Sequence, residues 1–192
     1  MRAFIRLIDA AVRRARGVFT FCEGEECLLR LQLSRAGHEI HFPGCRVPRG
    51  APVLELHLWN EHVPLLPPSG PDLAWATKTR RLFLHSLRTV GEQMRREGRL
   101  VSVRAVGGAT GLLSLDGSSG GVAVFQRLGF TVLPYHHPLG RFGEFWDNLY
   151  AWWLMWAFNP ISLRSRHFSG LQRVEVWMPA EEFLSRYGGE GI

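Results

Sequence analysis

Apolar positions in residues 100–135 change their period midway. Val101, Val103 and Ala105 alternate with Ser102 and Arg104, the two-residue repeat of a strand. After a Gly/Ser-rich break, Val122, Val124, Phe125 and Leu128 take helical spacing. Gly129 stops that helix, and residues 130–135 begin a new extended run. Strand, short helix and strand in this order predict an α/β fold.

The same reading extends to both ends. Residues 2–16 predict an amphipathic helix, with Phe4, Ile5, Ile8, Ala11, Val12 and Ala15 on one side and Arg6, Arg13, Arg14 and Arg16 flanking them. Such a helix packs on a sheet or lies on an anionic membrane surface; its few large apolar residues favour packing. Residues 27–33 alternate as a strand, 38–42 predict a second, and PGCRVPRGAP at 43–52 predicts a turn-rich connection. In 53–60 Leu54, Leu56 and Leu58 share one face of a strand, and Glu55, His57 and Trp59 share the other. A loop with Pro64, Pro67, Pro68 and Pro71 leads into a long helix over 72–97, where Leu73, Ala76, Leu82, Leu87, Val90 and Met94 recur at helical spacing and Gly98 stops it.

Residues 144–158 predict a helix carrying Trp146, Trp152, Trp153 and Trp156. Its uninterrupted apolar run, 149–158, falls well short of the ~20 residues needed to cross a bilayer. An apolar helix of this kind points to a core or to a subunit contact such as a homodimer, with membrane contact the lesser alternative. A basic loop at 164–167, a strand at 173–178 and a helix at 180–187 close the chain. The expectation is a single domain spanning 1–192, a mixed central sheet flanked by helices.

Charge narrows the partners. The formal net charge is +6 and the pI near 10.0, almost entirely from arginine, since Lys78 is the only lysine. Guanidinium binds phosphate and carboxylate through paired hydrogen bonds, so an anionic ligand or an anionic membrane surface suits this chain. The arginines are spread along it rather than gathered with aromatics in a recognition motif, which argues against nucleic acid. Cys22, Cys27 and Cys45 form no CxxC pair, and their spacing fits neither a zinc site nor a small disulfide framework, so free buried thiols in a reducing compartment are expected. Arg6 and Asp9 interrupt the first apolar segment where a secretory signal would run unbroken. The implied location is cytoplasmic, with membrane association as the alternative.

Few residues carry candidate chemistry. Glu55 and His57 project from one strand face as neighbours and form the candidate catalytic pair, an acid and a base within reach of each other. Asn60 and Glu61 lie at the end of that strand, where α/β sheets commonly hold ligands. His136 and His137 sit in a loop after a strand and, with Arg141, complete the candidate ligand-binding set. Adjacent histidines on an extended segment point apart, so no metal site is assigned. GGATG at 107–111 and GSSGG at 117–121 read as tight turns, or as a weak anion site ahead of the following helix. There is no GxSxG, no P-loop and no dinucleotide fingerprint.

VAVFQRLGFTV resembles the late helix and strand of Gcn5-related N-acetyltransferases, and the order of strand VLELHLWN, long helix, strand LVSVRAV and short helix resembles the second half of that fold. That likeness implies acetyltransferase-like topology. The family's Arg/Gln-x-x-Gly-x-Gly/Ala pyrophosphate loop is absent from SGPDLAWATKTRRL, and Phe125 stands where the family often carries a general-acid tyrosine.

Nearly the whole chain, through LELHLWN, RLGFTV, the aromatic helix and RVEVWMPAEEFLSRYG, is similar to the YkoP-like domain family, small bacterial proteins or segments attached to polysaccharide deacetylase domains. The resemblance implies a cell-envelope and glycan setting, with a glycan or envelope protein as partner. No activity carries over from that family; the absence of every complete catalytic motif favours a degenerate acyltransferase-like binding domain, which would bind an anionic or glycan-related ligand or a partner protein. The alternatives are an active N-acyltransferase with an atypical coenzyme A site, the one reading that brings in coenzyme A or acyl-CoA as cofactor, and a peripheral membrane protein.

Overall fold

Alternating leucines decide where the sheet forms and which way it faces. The computed structural model describes residues 2–110, 120–135, 137, 139–163 and 173–189. Along the chain run α1 (Arg2–Ala15), β1 (Leu29–Arg35), β2 (Ile40–Phe42), β3 (Cys45–Val47), β4 (Pro52–Leu58), α2 (Leu73–Arg96), β5 (Ala105–Thr110), α3 (Gly120–Arg127), β6 (Thr131–Pro134), α4 (Gly140–Phe158), β7 (Val174–Pro179) and α5 (Ala180–Tyr187). Five strands form one mixed sheet in the order β1-β4-β5-β7-β6, and β2 with β3 forms a separate hairpin. Neighbours in the large sheet are antiparallel except β4 and β5, which run parallel across the α2 crossover.

Leu31 lies opposite Leu56 and Leu33 opposite Leu54, so the leucines of β1 and β4 gather on one face. That face carries the main core. Leu87, Val90 and Met94 of α2 and Phe183 and Tyr187 of α5 pack over Leu31, Leu54, Val106, Val176 and Met178. The long helix begins where Asp72 caps it, its carboxylate accepting the Trp75 backbone N–H at 2.7 Å, and ends at Arg96 before Gly98. On the opposite face the β2/β3 hairpin sets Ile40, Phe42 and Val47 against Val53, Ala105 and Trp177, closing a smaller core at one end. The other end of that face is polar.

Several expectations need correction. Residues 101–104 are not strand. A 3-10 turn at Gly98–Leu100 precedes β5, which begins at Ala105 and includes Gly107 and Gly108, so GGATG is largely strand rather than turn. The reason is spacing between strands: a Cβ on Gly107 would lie 1.9 Å from the Val176 carbonyl oxygen and 2.8 Å from the Trp177 Cα, so only glycine admits β7 this close. The turn-rich segment 43–52 contains β3, because Gly44 at φ 83° reverses the chain and pairs Phe42 with Cys45. The cysteines are not three free buried thiols. The chain turns at 23–26, where Cys27 N donates to Gly24 O, bringing Cys22 and Cys27 to a Cα separation of 6.3 Å as a disulfide, while Cys45 is free and exposed. The Trp-rich helix is not a core helix: only Gly143 and Ala157 of α4 are buried. Most of GSSGG, together with His136 and the basic loop 164–167, lies outside the described residues.

Candidate functional site

Cross-strand register assembles the polar end of the second face. Arg30 lies opposite His57 and Gln32 opposite Glu55, and residues paired in this way share a face. Glu55 and His57 are therefore joined by Arg30, Gln32 and Ser34 from β1. Ser34 Oγ donates to Glu55 Oε1 at 2.5 Å, and His57 Nε2 lies 2.9 Å from Gln32 Oε1 and 3.6 Å from Glu55 Oε2. A hydrogen bond to the amide oxygen requires Nε2–H, which leaves Nδ1 as the basic nitrogen of the neutral ring.

Burial holds the His57 pKa below its ordinary 6.5; Glu55 acts against that shift, and Arg16, just beyond α1, adds to it. The ring is neutral at pH 7 and available as an acceptor. Because the folded form takes up its proton later than the unfolded chain does, the contribution of His57 to stability is complete above about pH 6.5 and is lost as pH falls through the lower folded-state pKa. In an NMR titration the His57 ring is expected to show a midpoint below 6.5, and Glu55→Gln should lower it further by removing the nearby negative charge. A midpoint above 6.5 would contradict this environment.

The site has an edge. Parallel pairing of β4 with β5 runs Val53–Ala105, Leu54–Val106 and Glu55–Gly107 and then stops. β4 nevertheless stays paired with β1 through Leu58, and β5 with β7 through Thr110. Regular pairing of the two central strands ends beside Glu55 and His57, although a Cβ on Gly108 would still lie 3.6 Å from the Leu56 carbonyl oxygen. Across the gap on the same face stand Ala109 and its partner Glu175, a buried carboxylate that accepts Trp177 Nε1–H at 2.7 Å and lies 3.3 Å from His38 Nε2.

The other candidates separate into two groups. Glu61 lies 3.8 Å from an Arg13 nitrogen and 3.6 Å from one of Arg30, whose guanidinium covers the Trp59 ring at 4.1 Å; Trp59 in turn stacks on His62 at 3.7 Å. Glu61 thus joins α1 to the sheet, and Asn60 is half-buried in the same turn. Arg30 is itself buried, and its Nε has no hydrogen-bond partner. His137 lies against α4: Nδ1 accepts the Leu139 N–H at 3.0 Å and Nε2 faces Asp147 at 3.9 Å. Asp147 also accepts the Tyr135 hydroxyl at 2.7 Å, and its backbone oxygen accepts Arg173 Nη2. Burial first, then the Asp147 carboxylate, push the Tyr135 phenol far above its usual range, so it remains a donor. The His137 ring fits here because residue 143 is glycine; a Cβ would fall 1.8 Å from Nδ1. Arg141 is exposed on the first turn of α4. An open hollow of about 640 Å³ lined by Leu73, Ala74, Thr77, Lys78 and Arg81 lies on the first turns of α2 and includes none of these residues.

Gln32, Ser34, Arg30 and Glu175 were not among the sequence candidates. The signal for the first three was the polar half of the alternation in β1, which gains meaning only when its partner strand is known. Among the described residues no group of three or more His, Cys, Asp or Glu side chains could hold a metal ion, and no helix is long and apolar enough to cross a membrane. No curated protein and no solved structure matches the chain. The YkoP domain model matches residues 1–187, nearly the full length of this mixed α/β unit. On that match the chain belongs to the YkoP domain family.

Proposed function

We propose that this is a binding domain of degenerate acyltransferase-like design, which receives a neutral, hydroxyl- and amide-bearing ligand such as an N-acetylated glycan segment in the opening between β4 and β5. The observation that carries the reading is the loss of β4/β5 pairing beside Glu55 and His57 while both strands keep their outer partners. An extended ligand with amides of its own can add hydrogen bonds along such an opening. The flanking side chains suit hydroxyls: Glu55, Gln32 and Ser34 offer oxygen acceptors, and His57 is neutral. With Glu55 and Glu175 on this face, an anionic ligand is disfavoured here, which revises the anionic reading of the site.

Strand order β4-β5-β7-β6 with one parallel pair supports the acetyltransferase-like topology. Two features favour binding over acyl transfer. Phe125, at the position the resemblance gives to a tyrosine acid, packs edge-on to Phe83 and Phe130 at 5.9 Å each. Asp72 places a carboxylate at the N-terminus of α2, where a coenzyme A pyrophosphate would need free N–H donors.

The test is a calorimetric titration of the full chain with N-acetylglucosamine oligosaccharides and, separately, with acetyl-CoA. Oligosaccharide binding that weakens at least tenfold in Glu55→Gln is the expected result. Acetyl-CoA binding with turnover of an amine would replace the reading with the catalytic one, and binding of neither ligand would overturn it.

A further inference from the structure

We propose that α1 and α4 together form a platform that docks on the surface of an anionic lipid bilayer. The two helices pack against each other, joined by the Tyr150 hydroxyl donating to Asp9 at 2.7 Å and by Arg6 over the Phe158 ring at 5.2 Å. Two of the three carboxylates on these helices are turned inward or toward a partner. Asp9, the one acid of α1, is buried and paired with Arg13 at 2.9 Å as well as with Tyr150. Asp147 of α4 is held by Tyr135 and Arg173, and Glu144 is half-buried.

Large apolar side chains remain on the outside. Phe4 and Leu7 are 63% and 67% exposed on α1, in line with Arg14 at helical spacing. On α4, Phe142 is 67% and Trp146 52% exposed, followed one and two turns along by half-buried Leu149 and exposed Trp153. Exposed positions of the described residues in the two helices therefore hold aromatic, aliphatic and small residues with Arg6, Arg14 and Arg141, and no acid.

Exposed Phe142, Phe145, Trp146 and Trp153 on α4, with Phe4 and Leu7 on the adjoining α1, are more than the scattered apolar residues of an ordinary surface. Charge selects the occupant. A second copy meeting this face across a twofold would bring like-charged arginine rims together, whereas anionic headgroups complement them while the rings enter the boundary of the acyl region. Indole favours that boundary, and α4 cannot cross the bilayer, so the platform lies on the surface. This inference stands apart from the ligand opening between β4 and β5.

The experiment is co-sedimentation of the full chain with vesicles of phosphatidylcholine alone or mixed with phosphatidylglycerol, at low and high salt. Binding to the mixed vesicles, weakened by salt and reduced about 30-fold in the double variant Arg14→Gln, Arg141→Gln, is expected from the loss of two surface cations. Trp146→Ser should also weaken binding, and both variants should unfold at the wild-type urea midpoint, since both change exposed residues. Absence of binding to anionic vesicles at low salt would overturn the proposal. So would equal binding to neutral vesicles, or a dimer whose formation is abolished by Trp146→Ser without any vesicle binding.

Discussion

Gly107→Ala is expected to destabilise the fold by about 3 to 5 kcal/mol, enough to unfold much of the protein at 25 °C. A methyl group there would meet backbone on β7, 1.9 Å from the Val176 oxygen and 2.8 Å from the Trp177 Cα, with the Trp177 ring also at 2.8 Å. None of these is the free end of a movable side chain. Relief requires β5 and β7 to separate in the middle of the sheet, where Gly107 and Trp177 are register partners. The same movement would disturb Trp177 and with it the Glu175 hydrogen bond on the polar face. Urea unfolding checks this directly. A Gly107→Ala protein within about 1 kcal/mol of the wild type would mean that the two strands are not this close.

Phe183→Ala and Phe142→Ala should differ by several kilocalories although the substitution is identical. Phe183 is fully buried in the main core, edge-on to Phe130 at 6.5 Å and against Tyr187 at 5.1 Å. Removing it leaves a cavity under the sheet and is expected to cost about 3 to 5 kcal/mol. For a chain of this size that lowers the melting temperature by about 6 to 20 °C. Phe142 projects into solvent from α4, and its removal should change stability by no more than about 0.5 kcal/mol. Thermal denaturation of the two variants side by side reads the difference. Equal losses would place Phe142 in a packed interface, contrary to its exposure.

Local signals were sufficient where one short segment contained them all. Residues 180–187 form α5 as read, because Pro179 starts the helix and Gly188 ends it. The long helix follows from its apolar spacing between Asp72 and Gly98, and the neighbouring Glu55 and His57 from the alternation of β4. Where the partner of a segment mattered, local signals failed. Glycines at 107 and 108 suggest a turn in isolation, yet they are the condition for a close β5/β7 pair. The Cys22–Cys27 bridge depends on a reversal at 23–26 that residue spacing does not specify.

The site was legible in the same partial way. Its first two members share a strand, but Gln32 and Ser34 join them only through the β1/β4 register, and Glu61 proved to be an ion-pair partner of Arg13 and Arg30. The burial of Asp9 modifies the amphipathic reading of α1: Ile5 is buried and Ile8 and Val12 are half-buried on the expected side, but Phe4 lies outside and a carboxylate inside.

By itself the sequence determined the class of fold, the positions of most elements, the positive charge and the Glu55/His57 pair, because periodicity, capping and neighbouring side chains are properties of a few consecutive residues. Tertiary structure alone decided which faces are covered, where the β4/β5 pairing ends, and that Phe142, Trp146 and Trp153 of the aromatic helix stay exposed. Those outcomes depend on register and on packing between residues far apart in the chain, and hydrophobicity is blind to which partner an apolar face will find.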